Sequence, residues 1–131
     1  MERSSDVSVE EVVAGIPSGS TLRIDVTSVL LEIWCAHELQ WAAYERNTPP
    51  IWAQVVRQLR GYLGSLWVSE ALQGAKAQEA FVVTCDQSTM TPEDIDNGHL
   101  ICLVGVALIT ATEFTFYRIH IHQKALTAAP L

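Results

Sequence analysis

The stretch beginning at Thr48 constrains the fold more than any other. Two prolines follow it, and then Trp52, Val55, Val56, Leu59, Tyr62, Leu63, Leu66 and Trp67 recur at three- and four-residue intervals. At 100° per residue these side chains fill one broad stripe. Threonine suits the cap of a helix and proline its first turn. The spacing predicts a helix from about Pro50 to Leu72, stopped at Gly74. Gly61 and Gly64 fall outside the stripe, each at a cost of roughly 1 kcal/mol against alanine. That cost suggests something packed close against the outer face. A helix with a single apolar stripe must bury it against another layer.

Most of the chain after this helix reads as strand. Ala80 to Asp86 alternates, with Phe81, Val83 and Cys85 on one side. Leu100 to Ile109 is apolar on both faces, as a central strand is. Glu113 to His122 alternates again: Thr115, Tyr117, Ile119 and Ile121 point one way, and Phe114, Phe116, Arg118, His120 and His122 the other. Thr91, Pro92 and Asp94 form a capping-box start for a helical turn, and Asn97-Gly98 is a turn dipeptide. Before the central helix, Leu22 to Leu39 reads as a β-branched helix with Asp25 as its N-cap or a first-turn acid. Its apolar surface comes from Ile24, Val26, Val29, Leu30, Ile33, Trp34 and His37. Gln40 to Glu45 is short and apolar, and as a strand it would put Trp41, Ala43 and Glu45 on one face. The expected fold is α+β, a mainly antiparallel sheet of about four strands with two main helices on one face.

A length of 131 residues is one domain. Residues 1–20, interrupted by Gly15, Pro17 and Gly19, read as a flexible arm. Residues 21–123 read as the folded domain and residues 124–131 as a tail. The net charge is −7 and unevenly placed: residues 46–76 sum to +3, while 1–45 and 77–113 each sum to −6. An acidic chain without a basic stripe is not expected to bind nucleic acid. The basic segment could stack on a second copy or on a mixed-charge partner, and its Arg57 and Arg60 are candidate subunit-interface residues. No membrane span or signal peptide is expected. Cys35, Cys85 and Cys102 form no C-x-x-C pair and read as small buried hydrophobes in a reducing compartment.

Candidate chemistry is sparse. His120 and His122 share a strand face and could begin a metal site. His37 and His99 are distant in sequence, so the expectation is an exposed strand end and no metal. Glu93, Asp94, Asp96 and Asn97 lack the spacing of a calcium loop. Cys35 and His37 diverge by about 200° on a helix, too far for a nucleophile and its base. No phosphate loop, G-x-S-x-G or H-E-x-x-H occurs. Trp34, Trp41, Trp52 and Trp67 read as core packing rather than a stacking platform. Neither an enzyme nor a cofactor is expected.

The linear order of several segments is specific. Gln40-Trp41-Ala42-Ala43-Tyr44-Glu45-Arg46-Asn47 resembles the Q-W-apolar-apolar-F-E-P-N segment of contractile phage tail sheath proteins. Pro50 to Val55 is similar to their P-L-W-A-x-V helix start, and Leu66 to Ala75 to their L-W-x-x-G-A-L-x-G-A helix end. Glu79 to Asp86 resembles E-A-F-x-V-x-C-D. Thr89 to Ile101 resembles T-M-T-x-x-D-I-D-N-G-x-L-I. Val104 to Ala107 and Glu113-Phe114 continue the match, which spans residues 24–122. The resemblance is to the sheath C-terminal domain alone. Asp25-Val26-Thr27-Ser28 departs from the usual N-V-R-R, and Arg46 stands where the family has proline.

The resemblance implies a structural subunit of a contractile tail or tail-like injection machine. It would assemble in the cytoplasm with itself or with sheath-like homologues, and end in the particle's tail. Tail tube, baseplate and cap proteins are the other implied partners. In that family, chain arms add strands to neighbouring sheets. That use implies contacts between subunits through Val7, Val9 and Val12 of the arm and through Tyr117, Ile119 and Ile121 of the last strand. The alternative is a cap, initiator or regulatory paralogue that docks on a sheath edge and controls its length.

Overall fold

The computed structural model describes residues 6–12, 26–109 and 113–124. Four strands form one antiparallel sheet: β1 (Val7–Val12), β2 (Phe81–Thr84), β3 (His99–Val106) and β4 (Thr115–His122), in the order β1-β4-β3-β2. Two long helices, α1 (Val26–Glu38) and α2 (Pro49–Val68), pack on one face of it, α1 toward β1 and α2 toward β2. Two short ones, α3 (Ala77–Ala80) and α4 (Pro92–Asp96), precede β2 and β3. The α+β reading therefore holds.

The stripe of α2 is the floor of the core. Trp52, Val55, Leu59 and Leu63 are buried, and Val56, Tyr62, Leu66 and Trp67 pack partly buried around them. Facing them from the sheet are Leu100, Cys102, Val104 and Val106 of β3, with Tyr117, Ile119 and Ile121 of β4. Leu31 and Cys35 of α1 and the following Leu39 complete the core.

Four local expectations need correction. The apolar surface expected of α1 is only partly covered: Val29, Leu30 and Ile33 are 42, 45 and 52% exposed, and His37 is exposed too. The helix is apolar nearly all round, so periodicity alone did not single out Leu31 and Cys35. Gln40–Tyr44 is a 3-10 turn, not a strand: the Ala42 amide donates to Leu39 and the Glu45 amide to Ala42, which buries Ala42 and Ala43. Beyond the helix's own backbone, nothing in the described residues lies within 4 Å of a methyl built on Gly61 or Gly64, so no close packing within the single chain explains them.

The stop of α2 is also different. Ala71 N–H donates to Leu66 C=O at 2.8 Å and Glu70 N–H to Trp67 C=O at 2.9 Å. That paired pattern needs a left-handed residue just past the helix. The residue is Glu70, at φ 67°, and not Gly74. Gly74, at φ 117°, instead lets its carbonyl accept the Trp67 indole N–H at 2.8 Å.

The loop before β3 is as expected. Thr91 Oγ1 accepts from the Asp94 amide at 3.0 Å, and Asp94 Oδ2 accepts from the Thr91 amide at 2.9 Å. These bonds hold the Asp94 carboxyl below its ordinary pKa. Gly98, at φ 77°, then turns the chain into β3.

Candidate functional site

Two features of the sheet are candidates: its β1 edge, and a histidine cluster at one end of its other face. The edge is built by alternation. Val7 and Val9 face the core and stand opposite Ile121 and Ile119, while Glu11 stands opposite Tyr117. Ser8, Glu10 and Val12 face outward, opposite His120, Arg118 and Phe116. An ion pair joins Arg118 to Glu10 at 3.0 Å. Asp6 anchors the start of β1: its carboxylate accepts from Gln40 Nε2 at 2.7 Å and lies 3.3 Å from Lys124 Nζ.

Of the eight expected interface residues, six are thus gathered into one two-strand ribbon, within a single chain. Both edges of β4 are taken, by β3 and β1. β4 is therefore not an edge strand; β1 and β2 are the outer strands among the described residues. The six residues of β1, with Val7 and Val9 turned inward, pair along Phe116 to Ile121. Arg57 and Arg60 are elsewhere, exposed on α2, with the Arg60 guanidinium 5.6 Å from the ring centre of Phe81 at the start of β2. The eight do not form one patch.

The outward face of the sheet carries no long helix among the described residues. Val82 and Phe116 are exposed there, and the Phe116 ring covers Gly105 so closely that a methyl on Gly105 would lie 2.6 Å from it. A second apolar surface lies on α1, where Leu30, Ile33, Trp34, His37, Glu38 and Tyr62 line a shallow groove of about 310 Å³. Trp34 and Tyr62 stack there at 4.6 Å.

The histidine cluster was missed in sequence. His99 is distant along the chain from His120 and His122, but β3 pairs with β4 so that His99 stands directly opposite His122. The signal was available: aligning Val106 with Thr115 across the hairpin carries His99 onto His122. Nδ1 of His99 lies 2.9 Å from Nε2 of His120, and the His120 and His122 rings stack at 4.0 Å. Burial, then His122 and His99, hold the His120 pKa below the ordinary imidazole value. Buried Asn47 fixes the backbone of His99, donating from Nδ2 to its carbonyl at 3.2 Å while Oδ1 accepts the Trp52 indole N–H at 2.5 Å.

The other chemical candidates have structural roles. Cys35 is fully buried, and burial with Glu32 pushes its thiol up to about 12, so it carries no thiolate near neutrality. Cys85 and Cys102 are buried free thiols, as expected. Trp41 donates to Gln58 Oε1 at 2.6 Å, and with the bonds of Trp52 and Trp67 and the stacking of Trp34, all four indoles serve internal packing. No described helix is long and apolar enough to cross a membrane.

No family profile and no curated protein matches the chain. Among solved structures, it is similar to a chain of the anti-feeding prophage baseplate, solved by cryo-electron microscopy with six-fold symmetry. The identity is 38% over 58% of this chain, with a TM-score of 0.53. The match covers 22% of that longer chain. The likeness is to a component of a phage-tail-like contractile system, without singling out its sheath.

Proposed function

We propose that this chain is a non-enzymatic structural subunit of a contractile, phage-tail-like injection particle. It is of the sheath C-terminal type and joins its neighbours by exchanging strands. The observation that carries this reading is the 38% identity to a baseplate chain of a contractile system. The form of the sheet supports it. β1 is separated from α1 by residues 13–25, a stretch that reaches at most about 45 Å when extended. The β1 ladder has the same hydrogen bonds whether the strand comes from its own chain or from a neighbour's, which makes exchange a low-cost route to assembly. The apolar residues Val29, Leu30 and Ile33, left in water by a single chain, are surface for further contacts.

In this reading the partners are further copies or sheath-like homologues, with tube, baseplate and cap proteins beside them. Assembly takes place in the cytoplasm and the product is part of the particle's tail. A second reading is a cap, initiator or regulatory paralogue that docks on a sheath edge. The match to a baseplate assembly favours it.

Electron microscopy of the purified chain, with light scattering over a concentration series, separates the two. The subunit reading expects rings or tubes that grow with concentration. A monomer at every concentration contradicts it and leaves the docking paralogue.

A further inference from the structure

We propose that His99, His120 and His122 form a three-imidazole site for one divalent transition ion of the zinc type. The site lies on the face of the sheet turned away from α1 and α2. One nitrogen from each ring lies within 4.8 Å of those of the other two. Two bonds of about 2.1 Å that meet at the tetrahedral angle set their nitrogens about 3.4 Å apart, so the widest pair closes by up to about 1.4 Å. Ordinary rotation of the side chains supplies that, because His122 is exposed and the other two are half-buried.

The backbone under the site is already set. His99 and His122 are opposite each other in the β3–β4 ladder, and His120 shares the outward face two residues from His122. The Asn47 bond to the His99 carbonyl adds a fixed point from the start of α2. Asp94 and Glu10 lie close enough for their fields to reach His120, and both favour a cation. Asp94 stays in its capping box, and Glu10 is paired with Arg118, so neither is needed as a ligand. Three nitrogen donors leave the fourth tetrahedral position to water. No electron transfer occurs; each ring offers the lone pair of one nitrogen and keeps its proton on the other. Whichever ring donates the hydrogen bond between His99 Nδ1 and His120 Nε2 passes that proton, by way of solvent, to its own other nitrogen, which frees the lone pair for the ion. Cys35, Cys85 and Cys102 are buried and do not compete for it.

The test is a titration of the untagged, metal-stripped full chain with Co²⁺, followed by its visible absorption and by competition with Zn²⁺. The expected result is saturation at one ion per chain, the strong visible bands of four-coordinate cobalt, and their loss on adding zinc. His99→Ala, His120→Ala and His122→Ala each lower affinity by about tenfold or more, whereas His37→Ala leaves it unchanged. His122 is exposed, so His122→Ala keeps the fold, checked by circular dichroism. The proposal is overturned by the absence of saturable binding in the wild-type chain. Undiminished affinity in folded His122→Ala overturns it equally.

Discussion

Glu70 shows how one residue can carry a backbone cost that its side chain does not repay. It holds the left-handed position that closes α2, at φ 67°, and its side chain is exposed. A non-glycine residue there costs roughly 1–2 kcal/mol, part of which glycine would give back through the greater freedom of its unfolded chain. The resembled sheath pattern, L-W-x-x-G-A-L-x-G-A, has glycine at this position. Glu70→Gly is expected to stabilise the chain by about 0.5–1 kcal/mol, a rise of about 2–4 °C in Tm by calorimetry. An unchanged or lower Tm would mean that the Glu70 side chain does something the structure does not show. The histidines make a different point at this scale. His120 and His122 were legible as a pair because they sit two residues apart. His99 was not, because its neighbourhood is a matter of strand register rather than of sequence distance.

Among the elements, α2 was legible and α1 was not. One stripe on α2 leaves a single face to bury, and Trp52, Val55, Leu59 and Leu63 bury it. On α1 apolar residues lie on several faces, and the choice falls to the strand it meets. Leu31 and Cys35 turn inward, and Val29, Leu30 and Ile33 are left outside. The α4 cap was legible because Thr91 and Asp94 satisfy each other's backbone within four residues. The turn at Gln40–Tyr44 was not, since an apolar six-residue stretch suits a strand as well as a 3-10 turn. The outer face of α2 gives the element's own prediction. Gly61 and Gly64 face open space, so Gly61→Ala with Gly64→Ala should raise the stability of the isolated chain by about 1–2 kcal/mol. In an assembled particle the same pair should weaken association, if a neighbour's backbone closes on that face. Chemical denaturation reads the first effect and light scattering the second. A loss of stability in the isolated chain would mean that the glycines serve the fold itself.

At the scale of the whole molecule, the sheet is where the fold bears on the proposed function. Antiparallel strands and two helices followed from alternation and from one helical stripe. The place of β1 did not, because six residues with three valines are too few to announce a partner strand. In the fold those valines find β4, and the contact can be made within one chain or between two. Strand exchange is therefore the central claim, and it can be trapped covalently. Glu10 and Arg118 stand directly opposite each other, both exposed, and facing residues in such a ladder are about 4.5–5.5 Å apart at Cα, within disulfide range. Losing their surface ion pair costs at most about 1 kcal/mol. The native cysteines are buried and do not interfere. The decisive measurement is the product of mild oxidation of the Glu10→Cys, Arg118→Cys chain under assembling conditions, read on a non-reducing gel. Strand exchange gives a ladder of covalent multimers that collapses to one band on reduction. Disulfides formed only within single chains, at every concentration, would contradict it.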